Sequence, residues 1–172
     1  MLCDSHKFEL RDVASDDHKW LVELHNDPLV LYNVTDPTPI TLESHLQWWN
    51  GLNPDRDVRL IFCVDGARAG FCKFYDIDNS NKHCVLGADL YRDFRGKGFA
   101  KEMWTKMLDV CFGDMGLRQV SLITAEYNKI AFRVYENIGF KVQGVQKGLL
   151  LRKGVFFDAI EMSICKEQWN GS

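Results

Sequence analysis

The sequence predicts a mixed α/β (α+β) domain, on three grounds. Stretches of two-residue alternation interleave with stretches of helical spacing, in the order strand, two helices, three strands, helix, strand, helix, two strands. At 172 residues, with 46% hydrophobic and 26% charged side chains, the chain can bury one core and is not disordered. The middle of the chain runs strand–helix–strand, which calls for a right-handed crossover. The reading is one domain over 1–172, with no internal repeat and no low-complexity segment.

Residues 8–13 alternate as a short strand. Ser15 or Asp16 is placed to cap a helix carrying Trp20, Leu21 and Leu24, which Asn26-Asp27-Pro28 ends. All four prolines (Pro28, Pro37, Pro39, Pro54) fall in the first third, so helices punctuated by loops are expected there. Thr41 and Ser44 form a helix-start pattern, continued by Leu42, Leu46 and Trp49 at helical spacing. A strand over 59–64 meets Asp65-Gly66, a two-residue hairpin signal, and a second strand runs to about Tyr75.

Residues 84–91 read as a further strand, and Gly87 inside it suggests a bulge or a close backbone approach. A helix over about 98–112 places Phe99, Met103 and Met107 on one face, and Gly113 and Gly116 stop it. Residues 119–125 form a strand with Val120, Leu122 and Thr124 on one face and Ser121 and Ile123 on the other. Asn128 caps a helix carrying Ile130, Val134 and Ile138, and Gly139 ends it. Two strands, about 140–146 and 155–164, complete the chain.

Composition limits the function. The balance of 21 Lys+Arg against 24 Asp+Glu leaves a net charge of −3, which argues against non-specific nucleic-acid or anionic-membrane binding. The uninterrupted apolar run at 60–64 is far below the ~20 residues of a membrane helix. The first ten residues carry Asp4, His6, Lys7 and Glu9 with no apolar segment, so no secretory signal is read and a cytoplasmic protein is expected. The six cysteines (Cys3, Cys63, Cys72, Cys84, Cys111, Cys165) lack metal-ligand spacing and read as reduced, mostly buried thiols; no metal site is predicted.

Two elements carry chemistry. Arg95-Gly96-Lys97-Gly98-Phe99-Ala100 sits where a strand ends and a helix begins, and the first amides of that helix have no internal partner. Those amides, the helix dipole and the charges of Arg95 and Lys97 suit a phosphate or pyrophosphate. The spacing is neither a Walker loop nor a Rossmann fingerprint. About thirty residues later, after a strand, comes the segment 128–140.

Together the two elements resemble the Gcn5-related N-acetyltransferase (GNAT) superfamily. Arg95, Gly98 and Ala100 meet its acetyl-CoA loop pattern; Asn128, Ala131, Tyr135, Gly139 and Phe140 meet its second element. The ending 154–162 looks like the branch of ribosomal-protein N-terminal, spermidine and amino-sugar acetyltransferases. The resemblance implies a mostly antiparallel sheet splayed at a bulged fourth strand, with helices on both faces. The pantetheine arm of acetyl-CoA would lie between Gly87, Leu90 and Tyr91 on one strand and 120–125 on the next. Amides from Gly96 to Lys101 would hold the pyrophosphate, Asn128 the arm, and Ala131 and Tyr135 would face it.

Tyr135 matches the family's general acid, and a phenol of ordinary pKa about 10 can donate to a departing thiolate. The relatives' basic Glu falls at Val85, so His83, Asp89 and Glu126, or a chain of waters, are the candidate bases. The acceptor read from the resemblance is the primary amine of a small soluble molecule, a polyamine or an amino sugar, attacked directly in a ternary complex. Trp48 and Trp49 point ~100° apart on a helix, so one can line the acceptor cleft. A protein N-terminal acetyltransferase and a non-catalytic acetyl-CoA-binding module are the alternatives. A homodimer through the C-terminal strands is implied by the family alone.

Overall fold

The computed structural model describes residues 5–171; Cys3 and the rest of the first four residues lie outside them. Seven strands, β1 (Phe8–Asp12), β2 (Val58–Val64), β3 (Ala67–Asp78), β4 (His83–Leu90), β5 (Gln119–Ala125), β6 (Lys141–Arg152) and β7 (Val155–Cys165), form one sheet in the order β1-β2-β3-β4-β5-β7-β6. Only the β4–β5 pair is parallel, and α4 (Phe99–Asp109) makes the crossover between them. The other helices are α1 (His18–His25), α2 (Pro28–Asn33), α3 (Leu42–Asn50) and α5 (Lys129–Ile138). Among the described residues no helix is long and apolar enough to cross a membrane.

The sheet separates two cores. On one face Phe62, Phe74, Leu86 and Leu122 pack with Trp104, Met107 and Phe140, and α5 leans on them through Phe132, Val134 and Tyr135. On the other face Ile61, Cys63 and Phe71 pack against Leu21, Leu24 and Val30 from α1 and α2, with Trp49 beside them. This division follows strand alternation: Cys72 and Phe74 face one core, Phe71 and Lys73 the other. Helices on both faces result.

Local chemistry explains the boundaries. Asp65 and Gly66 both have positive φ, 52° and 81°, as the tight β2–β3 turn requires. Thr41 and Ser44 cap α3 reciprocally, Thr41 Oγ1 accepting from the Ser44 amide at 3.1 Å and Ser44 Oγ from the Thr41 amide at 3.0 Å. Gly139 closes α5 at φ 119°.

Several expectations are corrected. Pro28 begins a helix instead of ending one: it occupies the first turn of α2, where no amide is needed, and Asp27 Oδ1 caps it by accepting from the Leu29 amide at 3.0 Å. Neither Ser15 nor Asp16 caps α1. A short 3₁₀ turn (Ser15–Asp17) leads into it instead. Helix α4 passes at Val110 into a π-helical turn to Asp114. β6 continues to Arg152, because a shift of register after Gln146 absorbs Gly148 and the two-residue turn Lys153-Gly154, both at positive φ, closes the hairpin.

The described cysteines are free thiols, four of the five buried. Cys63 pairs across from Arg68 and Cys72 from Leu60, so these two are not opposite one another.

Asp17 ties the first helix to the sheet. Fully buried, it accepts from Arg11 at 2.7 and 3.0 Å, from Arg68 at 3.2 Å and from the Ala14 amide at 2.8 Å. Hydrogen bonding to Arg11 outweighs burial and holds its carboxyl at about 2, below the ordinary 3.8. A depressed carboxylate contributes stability above its unfolded pKa and loses it as pH falls through the folded one. Asp17→Ala should cost about 1–2 kcal/mol at neutral pH in urea unfolding, by removing the hydrogen bonds it accepts from two partly exposed arginines and the Ala14 amide. The gap from wild type should narrow as pH falls from 3.8 towards 2.

Candidate active site

β4 and β5 run side by side for three residue pairs only, His83–Gln119, Cys84–Val120 and Val85–Ser121. Past Val85, β4 stays registered with β3 as far as Leu90, while β5 stays with β7 to Ala125. The two strands part, and a cavity of about 330 Å³ opens through the sheet, lined by Gly87, Asp89, Leu122, Thr124, Asn128 and Tyr135. Trp104, 3% exposed, also lines it, its ring edge-on to Tyr135 at 4.8 Å.

The splay is as the resemblance implied, but the bulge is not at Gly87. Register with β3 is unbroken there; the extra residue sits on β3 between Tyr75 and Asp78, where Asp76 takes φ 50°. Gly87 serves by lacking a side chain, since a Cβ would meet Lys73 Cε at 3.3 Å.

At the outer end of β4, Gly96 (φ 72°) and Gly98 (φ 84°) bend the chain into α4. Gly98 is the N-cap and no side chain caps the helix; the space around both glycines is open. An exposed, uncapped helix start is the arrangement an anionic group needs. Lys97 and Lys101 are exposed, Ala100 is half-buried, and Phe99 turns into the core.

Arg95 departs from a direct phosphate contact. Its Nε donates to the Leu90 carbonyl at 2.9 Å and its Nη1 to Asp27 Oδ1 at 3.1 Å, while Nη2 is buried with no hydrogen-bond partner among the described residues. Burial pushes the Asp27 carboxyl up, yet Arg95 and the Leu29 amide hold it below its ordinary value. Arg95 thereby clamps the glycine loop to the start of α2. Tyr91 is also held, its amide donating to Ala69 O at 2.8 Å and its phenol to Glu23 Oε1 at 2.6 Å.

Asn128 caps α5, Oδ1 accepting from the Ala131 amide at 3.3 Å, and it lines the cavity as well. Burial, and then the Asp89 carboxylate, push the Tyr135 phenol well above its ordinary value. The three candidate bases separate. His83 lies on the paired side of the splay, within 3.0 Å of Ser121 Oγ, and Glu126 Oε1 accepts from the Asp158 amide at 2.9 Å; neither is on the cavity wall. Asp89 is on it.

A second cavity, of about 560 Å³, lies on the α1–α3 face. Leu24, Val34, Ile40, Trp48 and Phe71 line it, and it meets the first cavity at Lys73 and Asp89, whose Nζ and Oδ2 are 2.7 Å apart. Trp48 is the outward member of its pair, 44% exposed, while Trp49 packs inward. His45, buried on the wall, sits 3.0 Å from His18, and burial followed by that neighbour pushes its imidazole below the ordinary value.

Sequence reasoning missed Trp104, Lys73, His45 and Arg152. Trp104 follows Met103 at one step on a broad buried face, a signal available but unused. The others depend on long-range contacts with no local pattern. Arg152, at the end of the hairpin, is 6% exposed; its Nε donates to Tyr32 O at 2.8 Å and its Nη2 to Val34 O. Tyr127 Oη donates to the same Tyr32 carbonyl. The cavity wall after α2 is hung from β6.

Residues 7–141 match the family model described as "Acetyltransferase (GNAT) domain". The spermidine N(1)-acetyltransferase of Escherichia coli K12 is 23% identical over 166 residues, spanning 96% of this chain and 89% of that protein. The L-amino acid N-acetyltransferase AaaT of the same organism is 25% identical over 162 residues, 91% of this chain and 97% of that one. A crystal structure of spermidine N-acetyltransferase from Vibrio cholerae with CoA and spermine superposes with a TM-score of 0.87 at 20% identity, covering 94% of this chain and 96% of that one.

Arg152→Ala should speed amide exchange at 31–38, measured by hydrogen exchange with mass spectrometry, and lower stability by about 2 kcal/mol through loss of charged hydrogen bonds. Unchanged exchange there would remove the strap.

Proposed function

The chain belongs to the acetyltransferase (GNAT) family, whose members use acetyl-CoA, and on that premise we propose that it acetylates the primary amine of a small soluble acceptor by direct attack in a ternary complex. The observation that carries this reading is the meeting of two cavities at Asp89, one between parted strands beside an uncapped helix start, the other walled by the first third of the chain. Relatives named for spermidine and for L-amino acids support a small amine; polyamines and amino sugars are both members of that class.

Each role has a physical basis. The amides of Gly96 to Lys101 offer the pyrophosphate hydrogen bonds and the positive end of α4. The facing edges of 86–90 and 122–125 offer backbone groups to an extended, amide-bearing arm, as a sheet does to an added strand. Asn128, on the cavity wall, bonds that arm. Acetyl-CoA supplies a thioester whose C–S bond breaks as the new N–C bond forms. Asp89 takes the proton the amine loses. Tyr135, a phenol protonated at neutral pH, gives one to the departing sulfur.

Saturating acetyl-CoA, at about 100 times its dissociation constant, should stabilise the protein by about 2.7 kcal/mol, read as a rise in Tm. Gly98→Asp should abolish the shift by placing a carboxylate and a strained φ at the helix start. Tyr135→Phe should bind acetyl-CoA normally and lose about a hundredfold in kcat, followed by thiol release. No shift with folded wild-type protein would overturn the reading, and normal turnover by Tyr135→Phe would remove the acid. Binding without turnover of any amine would favour a non-catalytic module.

A further inference from the structure

The chemistry of the larger cavity narrows the acceptor. Its walls are chiefly apolar: Leu21, Leu24, Val34, Ile40 and the rings of Trp48 and Phe71. Two carboxylates line it, one neutralised by a lysine and the other at its exposed edge. Asp89 is paired with Lys73 at 2.7 Å, and Asp36, at the exposed rim, accepts from the Thr38 hydroxyl at 2.6 Å and amide at 3.0 Å. The nearby cations are neutralised: Lys73 by Asp89, and Arg59, 5.6 Å from the centre of the Trp48 ring, by Asp57 at 3.1 Å.

A molecule with several ammonium groups therefore meets one carboxylate at the reacting end and a second only at the exposed rim. Placing its further charges beside Leu24 and Ile40 costs desolvation. A single amine on an apolar body meets the opposite case. Its nitrogen reaches Asp89, and its body removes apolar surface from water against Trp48 and Phe71. The volume suits a molecule of that size.

We infer that the acceptor is a primary amine with one charge and an apolar, ring-sized body, selected by Trp48 and Phe71. This rests on the acetyltransferase reading, since it places the reacting nitrogen at Asp89.

The test compares 2-phenylethylamine with spermidine. Calorimetric binding in the presence of CoA reads the cavity, and thiol release from acetyl-CoA reads turnover. Wild-type protein should bind 2-phenylethylamine at least about tenfold more tightly than spermidine, the worth of burying a ring. Trp48→Ala should weaken 2-phenylethylamine by about tenfold and leave spermidine within about twofold. Tighter binding of spermidine, or equal effects of Trp48→Ala on both amines, would overturn the inference while the acetyl-CoA shift left the enzyme reading intact. Absence of that shift would sink the enzyme reading, and the calorimetric comparison would still decide what the cavity prefers.

Discussion

The parting of β4 from β5 after three parallel pairs governs the rest of the molecule. Backbone amides and carbonyls seek partners, and a sheet normally supplies them from the next strand. Here β3 holds one strand and β7 the other, so neither can close on its neighbour. The rings of Trp104 and Tyr135 line the gap. An interior edge of this kind is a liability unless something strand-like occupies it. The glycine loop follows directly from the same strand, which puts an uncapped helix start at the outer end of the opening.

The gap passes through the sheet, and this is why the cavity within it shares Val34, Lys73 and Asp89 with the larger cavity on the α1–α3 face. Strand alternation turns Asp89 and Lys73 to the α1–α3 face, while Tyr135 approaches from the α4–α5 face. One carboxylate and one phenol thus stand on either side of a single opening, as the proposed proton transfers use them. The α1–α3 side is not self-supporting. Arg152 holds it from β6 and Asp27 ties it to Arg95, so the wall and the glycine loop are held by charged side chains bonded to backbone carbonyls and a carboxylate.

Much of this was legible in the sequence where local rules decide. Asp65-Gly66, Thr41 with Ser44, Asn128 and Gly139 each name a turn or cap through their own backbone preferences, and each stands where expected. Pro28 misled, because proline both ends helices and begins them, and only the Asp27 cap separates the cases. The last hairpin was cut short because Gly148 interrupts its alternation, although Lys153-Gly154 carried the turn signal. Motif resemblance located Tyr135, Asn128 and the glycine loop. It could not separate His83, Asp89 and Glu126, since which of them reaches the cavity depends on where two strands part. Lys73, Arg152 and the His18–His45 contact join residues from 16 to 120 positions apart, beyond the reach of any local pattern.

We propose that the open edges of β4 and β5 receive the pantetheine arm of acetyl-CoA as an added strand. Hydrogen exchange read residue by residue, with and without acetyl-CoA, tests it most directly. Protection confined to amides in 86–90, 122–125 and the first turn of α4 is the predicted result. Exchange at those edges unchanged under saturating acetyl-CoA, or protection centred elsewhere in the chain, would contradict it.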